Sequence, residues 1–390
     1  MHSEVDKLHM KRALDLARRA RWRTSPNPMV GAVVVKDDRV IAEGWHRATG
    51  QPHAEIEAFN NATEPLAGAT LYITLEPCCH HGRTPPCTDA IIANRIGRVV
   101  AAAGDPNPLV AGGGFSRLRE AGIRTEVGLC GEEALRLNEA FFTYHLKKRP
   151  FIICKWAMTI DGKIATDSGN SQWISNEKSR NFAHQQRARV DAVMVGIGTV
   201  LIDDPMLNVR LPGFDGRQPK RIIADATLRI PVRARCLESA QPGQCIIATT
   251  ENAQPEKIER LRKAGHHILV LPGRRKLLDL AELIRELHLL EIQSILSEGG
   301  SSLHGSLFQS RYVDKILAFI APKIVGGVTA KSPISGWGIS NMSMALTLTN
   351  VAFTQFDEDV CIEGYVSYSD TTAKPNPAAG NGIIEEIDSP

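Results

Sequence analysis

Aromatic residues make up only 5% of the 390-residue chain. A base-stacking platform of the kind that grips single-stranded nucleic acid is therefore not favoured. Charge of one sign is lacking too: 46 Lys and Arg against 43 Asp and Glu leave a balance of +3. That near-neutrality speaks against a protein governed by nucleic acid or an anionic membrane, and neither is expected as a partner. No stretch approaches 18 uninterrupted apolar residues, so no membrane span is expected. The opening MHSEVDKLHMKRALDLARRA has no apolar core ahead of a small-residue cleavage site and does not read as a secretory signal. Cysteine is scarce, eight in all, which makes a disulfide framework unlooked-for and a cytoplasmic protein the expectation. What remains is ordinary: 43% hydrophobic and 23% charged residues, at a length that predicts two or three domains.

The chain reads as two α/β halves. Residues 1–23 form an amphipathic helix with Leu8, Ala13, Leu14, Leu16, Ala17 and Ala20 on its apolar stripe, stopped by Ser25-Pro26-Asn27-Pro28. Strands follow at 30–35, 40–43, 70–75 and 98–103, and helices at 53–61, 88–93 and 114–121, a three-layer α/β pattern. The pattern restarts after Lys147-Lys148-Arg149-Pro150, which suits a linker. Strands at 151–158, 192–196, 220–224, 245–249, 267–271, 294–297 and 315–320 alternate with helices at 176–189, 255–264, 278–287 and 301–309. This predicts a mostly parallel sheet. Domains are thus placed at 1–146 and 150–369, with a disordered tail over 370–390, rich in Pro, Gly, Asn and acid.

Three of the eight cysteines crowd into ten residues, and such clustering calls for a chemical reason. The segment Pro52-His53-Ala54-Glu55 precedes Glu76-Pro77-Cys78-Cys79-His80-His81-Gly82-Arg83-Thr84-Pro85-Pro86-Cys87. An imidazole and two thiolates fill three corners of a zinc tetrahedron and leave one for water. Zinc makes hydroxide available near neutrality. Glu55, two residues from His53, can face the same cavity without binding metal, take the proton and pass it to a leaving amine. That is the H-x-E…P-C-x-x-C logic of a zinc deaminase acting on an amino-pyrimidine or purine. Neither half of the motif is specific alone. The cysteines are also separated by eight residues rather than two, so Cys79, His80 or His81 stand as alternative ligands. Cys78 is preferred because it directly follows Pro77.

EPCCHHGRTPPC, with HAE and SPNPMVGAVVV upstream, closely resembles the bacterial bifunctional riboflavin-biosynthesis deaminase/reductases. The family tolerates the eight-residue spacer and usually carries Ser where Cys79 stands. The resemblance implies a cytidine-deaminase-like three-layer domain. It implies zinc ligands His53, Cys78 and Cys87 with Glu55 as proton shuttle. Asn27, His46, His80 and Arg83 are implied to line the pocket for a pyrimidine and its ribose 5-phosphate.

The second half lacks the G-x-G-x-x-G fingerprint, which disfavours a Rossmann domain. Its Ser297-Glu298-Gly299-Gly300-Ser301 follows a predicted strand and opens a helix, where backbone N–H groups can approach a phosphate. KWAMTIDGKIA, SQWIS, VGIGTVLIDDPMLNVR and SEGGSSL lie in the order of the same family's reductase domain, whose fold resembles dihydrofolate reductase. The likeness spans roughly residues 5–368. It implies NADPH contacts from Ala157, Trp173, Thr199, Asp203 and the run Gly299, Gly300, Ser301, Ser302, Leu303, His304 and Gly305. It implies substrate contacts from Ser171, Arg187, Leu207, Arg210 and Glu298. Arg187 and Arg210 have the planar charge to clamp a phosphate. Lys155, in an otherwise apolar strand, reads as a proton donor or substrate contact.

The expected protein is a cytoplasmic homo-oligomeric enzyme. Its first domain deaminates 2,5-diamino-6-ribosylamino-4(3H)-pyrimidinone 5′-phosphate with zinc. Its second reduces the ribosyl product to the ribityl form by hydride from NADPH. Two alternatives carry different predictions. A nucleoside or tRNA deaminase would have an unrelated C-terminal domain and no NADPH binding. A zinc-stabilised RNA-binding module would have a closed four-ligand site and salt-sensitive affinity.

Overall fold

Val33 and Val35 point to one face of a strand, Ala32 and Val34 to the other, and all four are buried. A strand with two apolar faces must be covered twice, which calls for a helical layer on each side. The computed structural model describes residues 3–81, 85–274 and 277–368, apart from the side chains of Trp22 and Arg274. Arg83 and the predicted tail lie outside the described residues. The chain divides into two compact units between Arg149 and Pro150.

In the first unit, α1 (Glu4–Arg18) opens on a capping box in which the Asp6 N–H donates to Ser3 Oγ and the Ser3 N–H to Asp6 Oδ2. It is shorter than the helix expected over 1–23; a 3₁₀ turn at Arg21–Arg23 follows it. The order continues β1 (Gly31–Lys36), β2 (Arg39–Trp45), α2 (Ala54–Asn60), β3 (Thr70–Ile73), α3 (Cys87–Ala93), β4 (Arg98–Ala101), α4 (Gly113–Glu120), β5 (Arg124–Val127), α5 (Gly131–Leu137) and α6 (Glu139–Lys147). The sheet runs β2-β1-β3-β4-β5, with β1 antiparallel to both neighbours and β3, β4 and β5 parallel. One face buries Val34, Leu71, Ile73 and Val99 under Ala58, Ile91 and Leu118. The other buries Val33, Tyr72 and Val100 under Leu14, Ala134 and Phe141. Each large apolar side chain so buried contributes roughly 1.5–3 kcal/mol. β5, α5 and α6 escape the sequence reading because Arg124–Val127 is exposed at both ends and only half-buried between, and Asn138 interrupts the helical period.

The second unit comprises β6 (Phe151–Thr159), α7 (Glu177–Arg187), β7 (Ala192–Gly196), α8 (Ile197–Asp203), β8 (Lys220–Ala224), α9 (Arg235–Glu238), β9 (Cys245–Thr250), α10 (Pro255–Lys263), β10 (His267–Leu271), the short β11 (Gly273–Arg274) and β12 (Leu277–Leu278), α11 (Leu280–Leu289), β13 (Ser294–Ser297), α12 (Ser301–Gln309), β14 (Lys315–Ala321), β15 (Thr347–Phe356) and β16 (Asp359–Ser367). Its main sheet is ordered β10-β9-β8-β7-β13-β6-β14-β16-β15. Every pairing from β10 to β14 is parallel, as predicted. β16 and β15 then close the edge as an antiparallel hairpin. That hairpin was not anticipated, because β15 is solvent-exposed along nearly its whole length and shows no buried alternation. Ala192 and Met194 of β7 enter one core and Val193 and Val195 the other, so this sheet too is covered on both faces. Among the described residues, no helix is long and apolar enough to cross a membrane.

Candidate active sites

His53 is the N-cap of α2, Cys87 is the first residue of α3, and Cys78 lies in the loop after β3. Their ligating atoms all fall within 4.8 Å of one another, the one such His/Cys/Asp/Glu group among the described residues. His53 Nδ1 is 3.2 Å from Cys87 Sγ and 3.6 Å from Cys78 Sγ, and the Cys87 N–H donates to Cys78 Sγ at 3.3 Å. The Cys87 thiol, and after it the His53 ring, hold the Cys78 thiol well below its usual range. Cys87 is pushed up by the Cys78 sulfur and by burial, and His53 is raised by its bond to Cys78. One nitrogen and two sulfurs in mutual reach form the donor set of a zinc site with three protein ligands. Cys79, His80 and His81 stand outside this group: Cys79 Sγ faces the Val110 carbonyl at 3.9 Å, and His80 Nδ1 is buried with no hydrogen-bond partner among the described residues.

Glu55, in the first turn of α2, is 3% exposed, and burial pushes its carboxyl up to about 7 against the pull of His53. The helix that carries it is set by close packing. A Cβ at Gly44 of β2 would stand 2.3 Å from Ala58 N and 2.5 Å from Ala54 O, so the α2 backbone lies flush on the strand. His46 stands edge-on to His53 with ring centroids 5.5 Å apart. Its neutral form satisfies both neighbours: Nδ1–H donates to the Pro52 carbonyl at 3.0 Å and Nε2 accepts from Asn27 Nδ2 at 3.1 Å. Burial keeps that form by lowering the ring's pKa. Asn27 and His46 are thus gathered beside the cluster.

In the second unit the residues meet at the carboxyl ends of β6, β7 and β13, where ligands of open parallel sheets bind. A cavity of about 340 Å³ is lined by Lys155, Ala157, Ser171, Trp173, Arg187, Thr199, Asp203, Leu207, Arg210, Glu298, Gly299, Gly300, Ser301 and His304, among others. A second, of about 170 Å³, shares Ser171, Thr199, Asp203, Gly300 and Ser301 with it and adds Ser302 and Leu303. Nearly every predicted contact is therefore brought together. Gly305 is not: it lines neither cavity, and a Cβ there would meet the Ser335 carbonyl oxygen at 1.8 Å, so its place is close packing of α12. Ser171 Oγ donates to Asp203 Oδ1 at 2.9 Å, and the Arg180 guanidinium lies 4.7 Å over the ring of Trp173, which is 61% exposed.

Of the expected Arg187–Arg210 pair, both line the cavity, but Arg187 is engaged within the protein. Arg187 donates from Nε and Nη2 to the two Glu298 oxygens, both at 2.6 Å, and from Nη1 to the Asn208 carbonyl at 2.9 Å. A bidentate guanidinium–carboxylate pair of this kind fixes both side chains in the cavity wall. Burial opposes the Glu298 charge, but Arg187 prevails and brings the carboxyl down to about 2. Arg235, at the start of α9, lines the same cavity as Arg210 and was flagged by no sequence motif. Lys155 lies in the same cavity, its pKa lowered by burial against the opposing pull of Glu298. His304 is buried, its ring nitrogens 3.2 Å from the Ser297 carbonyl and 3.3 Å from that of Pro333, yet burial lowers it to about 4.

With this geometry in hand, likeness to known proteins is informative. Residues 3–103 match the family model for the cytidine and deoxycytidylate deaminase zinc-binding region, and residues 150–362 that for the RibD C-terminal domain. The riboflavin biosynthesis protein RibD of Actinobacillus pleuropneumoniae is 45% identical over 355 residues, 91% of this chain and 94% of that protein. RibD of Escherichia coli (strain K12) is 42% identical over 332 residues, 82% of this chain and 89% of that protein. The structure of Acinetobacter baumannii RibD, form 1, aligns with a TM-score of 0.85 at 36% identity, covering 93% of this chain and 99% of its own. A Thermotoga maritima structure, described as a diaminohydroxyphosphoribosylaminopyrimidine deaminase/5-amino-6-(5-phosphoribosylamino)uracil reductase, aligns with a TM-score of 0.80 at 38% identity, covering 93% of this chain and 99% of its own. The match over residues 150–362 overturns the alternative of an unrelated C-terminal domain.

Proposed function

Because this chain belongs to the RibD family of riboflavin biosynthesis proteins, a deaminase unit followed by a reductase unit, we propose that it carries out both named steps on phosphorylated pyrimidines. In the first, 2,5-diamino-6-ribosylamino-4(3H)-pyrimidinone 5′-phosphate exchanges an amino group for oxygen as water enters and ammonia leaves. In the second, the ribosyl group of the product becomes ribityl. The observation that carries the reading is the convergence of His53, Cys78 and Cys87 within 4.8 Å, with the buried Glu55 carboxyl on the same helix start as His53.

The donor set fits zinc, and His53, Cys78 and Cys87 would hold it. When bound, zinc supplies the Lewis acidity that makes hydroxide available near neutral pH. Glu55 takes the proton released by the attacking water and returns it to the departing amine. Its raised pKa suits a group that must carry a proton in both directions. Asn27 and the neutral His46, which hold one another beside the cluster, orient the ring.

Two adjoining cavities that share Thr199, Asp203, Gly300 and Ser301 at a helix start support the reading of a dinucleotide site in the second unit. A Cβ on Gly300 would stand 3.6 Å from Thr199 Oγ1 and narrow the cradle between α8 and α12. Ala157, Trp173, Thr199, Asp203 and residues Gly299 to His304 would hold NADPH, which supplies the two-electron reductant. Ser171, Lys155, Leu207 and Glu298 hold the substrate, and Arg210 with Arg235 receives its phosphate. Arg187 fixes the Glu298 carboxylate. The reading sets the enzyme in the cytoplasm, where NADPH is held, as a homo-oligomer. The exposed edge strand β15, with Phe353 71% exposed, supports self-association.

The test supplies the diaminopyrimidine with and without NADPH and follows ammonia and cofactor absorbance together. Ammonia should appear in both cases, and absorbance should fall only once deamination has begun. Absorbance loss without ammonia, or ammonia that requires NADPH, would refute the assigned order of steps.

A further inference from the structure

Glu76 has no role in the proposed chemistry, yet its carboxylate is among the most thoroughly held in the first unit. It is 4% exposed, and among the described residues no Lys or Arg pairs with it. Instead three backbone N–H groups donate to it. Asp105 and Gly112 reach Oε2 at 3.2 and 3.1 Å, and Phe115 reaches Oε1 at 3.2 Å. These donors are the loop before α4 and the first turn of α4 itself. α4 has glycine at its N-cap and no capping side chain of its own. A carboxylate from a distant segment therefore satisfies its orphan donors and its positive end.

The contact on the other side matters more. Glu76 is followed directly by Pro77 and Cys78. A Cβ at Gly114 would stand 2.1 Å from the Pro77 carbonyl oxygen and 3.1 Å from Glu76 Oε1. The first turn of α4 thus rests on the backbone just ahead of Cys78, with no space between. A buried carboxylate that only capped a helix would have no need of this seating.

We infer that Glu76 is a positioning residue of the deaminase site. It locks the 105–112 loop and α4 onto residues 76–78, and so sets where Cys78 presents its sulfur. The inference rests on the reading that His53, Cys78 and Cys87 hold zinc. Groups that orient ligands from behind are typically worth about 10–100-fold in metal affinity.

The test uses the full chain with Glu76→Gln, Glu76→Asp and, as a control, Leu118→Ala. Leu118 is fully buried in α4 and makes none of the hydrogen bonds to Glu76, so its loss weakens the same helix through packing while leaving the three donors in place. Zinc affinity is read by chelator competition, and ligand geometry by the visible spectrum of the Co²⁺-substituted protein. Reductase activity of the same chain reports that the second unit is folded. Glu76→Gln should weaken zinc by about 10–100-fold and alter the cobalt spectrum. Leu118→Ala should lower the melting temperature comparably while leaving affinity and spectrum near wild type. If Glu76→Gln fails to fold, Glu76→Asp decides, since its shorter arm should still shift the spectrum. Wild-type affinity and spectrum in a folded Glu76 variant would overturn the inference, as would an equal loss in Leu118→Ala. Wild-type protein that takes up no zinc would instead bring down the underlying reading, and the inference with it.

Discussion

The two sites of this chain are assembled in opposite ways. All ligand candidates of the first unit fall between His53 and Cys87, on two helix starts and the loop between them. The cavity of the second unit draws on residues from Lys155 to Pro333, delivered by the ends of separate parallel strands. In the first, chemistry resides in a few soft donors, and loss of one is decisive. In the second, binding is spread over many contacts, and a buried ion pair, Arg187 with Glu298, holds the wall. The contrast predicts all-or-none damage in one unit and graded damage in the other.

The sharpest break comes from Cys87→Ser. Elemental analysis should find zinc lost and ammonia release abolished, with reductase turnover intact; full zinc content would remove Cys87 from the ligand set. Next is Glu55→Gln, which should keep zinc yet slow deamination by about 10²–10⁴-fold, the usual worth of a positioned acid–base group. A near wild-type rate of ammonia release would end its role as shuttle.

Graded effects belong to the second unit. Glu298→Gln leaves Arg187 buried without its counter-charge and should cost about 3–5 kcal/mol in urea unfolding of that unit. Acid offers a milder probe. His304 is lowered from 6.5 to about 4 by burial, so the unfolded chain binds its proton first as pH falls. Its contribution is intact above pH 6.5 and is lost between 6.5 and 4, about 3 kcal/mol at the limit. Unfolding midpoints across that window should fall with pH, and His304→Gln should flatten the slope. Smallest is Arg210→Ala, expected to raise the reductase KM about tenfold while sparing deamination, a loss of one charge-assisted phosphate contact. Equal harm to both activities would refute the separation of the two sites.

What was legible in the residues follows the same division. The gathering of His53, Cys78 and Cys87 was legible in part: residue chemistry pointed to a His/Cys cluster in a short segment, but its eight-residue spacer left Cys79, His80 and His81 open until the family resemblance chose among them. Strands with two apolar faces, such as Ala192–Gly196, were readable because parallel sheets demand them. The hairpin of β15 and β16 was not, since an edge strand exposed to water needs no alternation. Nor was the engagement of Arg187, because nothing in the order of residues says that position 298 will fold against position 187. Arg235 and Glu76 escaped for a related reason: their partners are a cavity and three backbone amides, which leave no pattern along the chain.

The absent side chain at Gly44 has a consequence for the spacing within the site. Since strand and helix backbones touch behind the histidine and the glutamate, even one methyl group there would tilt both together. The histidine and the carboxylate are thus carried as one body, and the spacing between them is set by backbone resting on backbone.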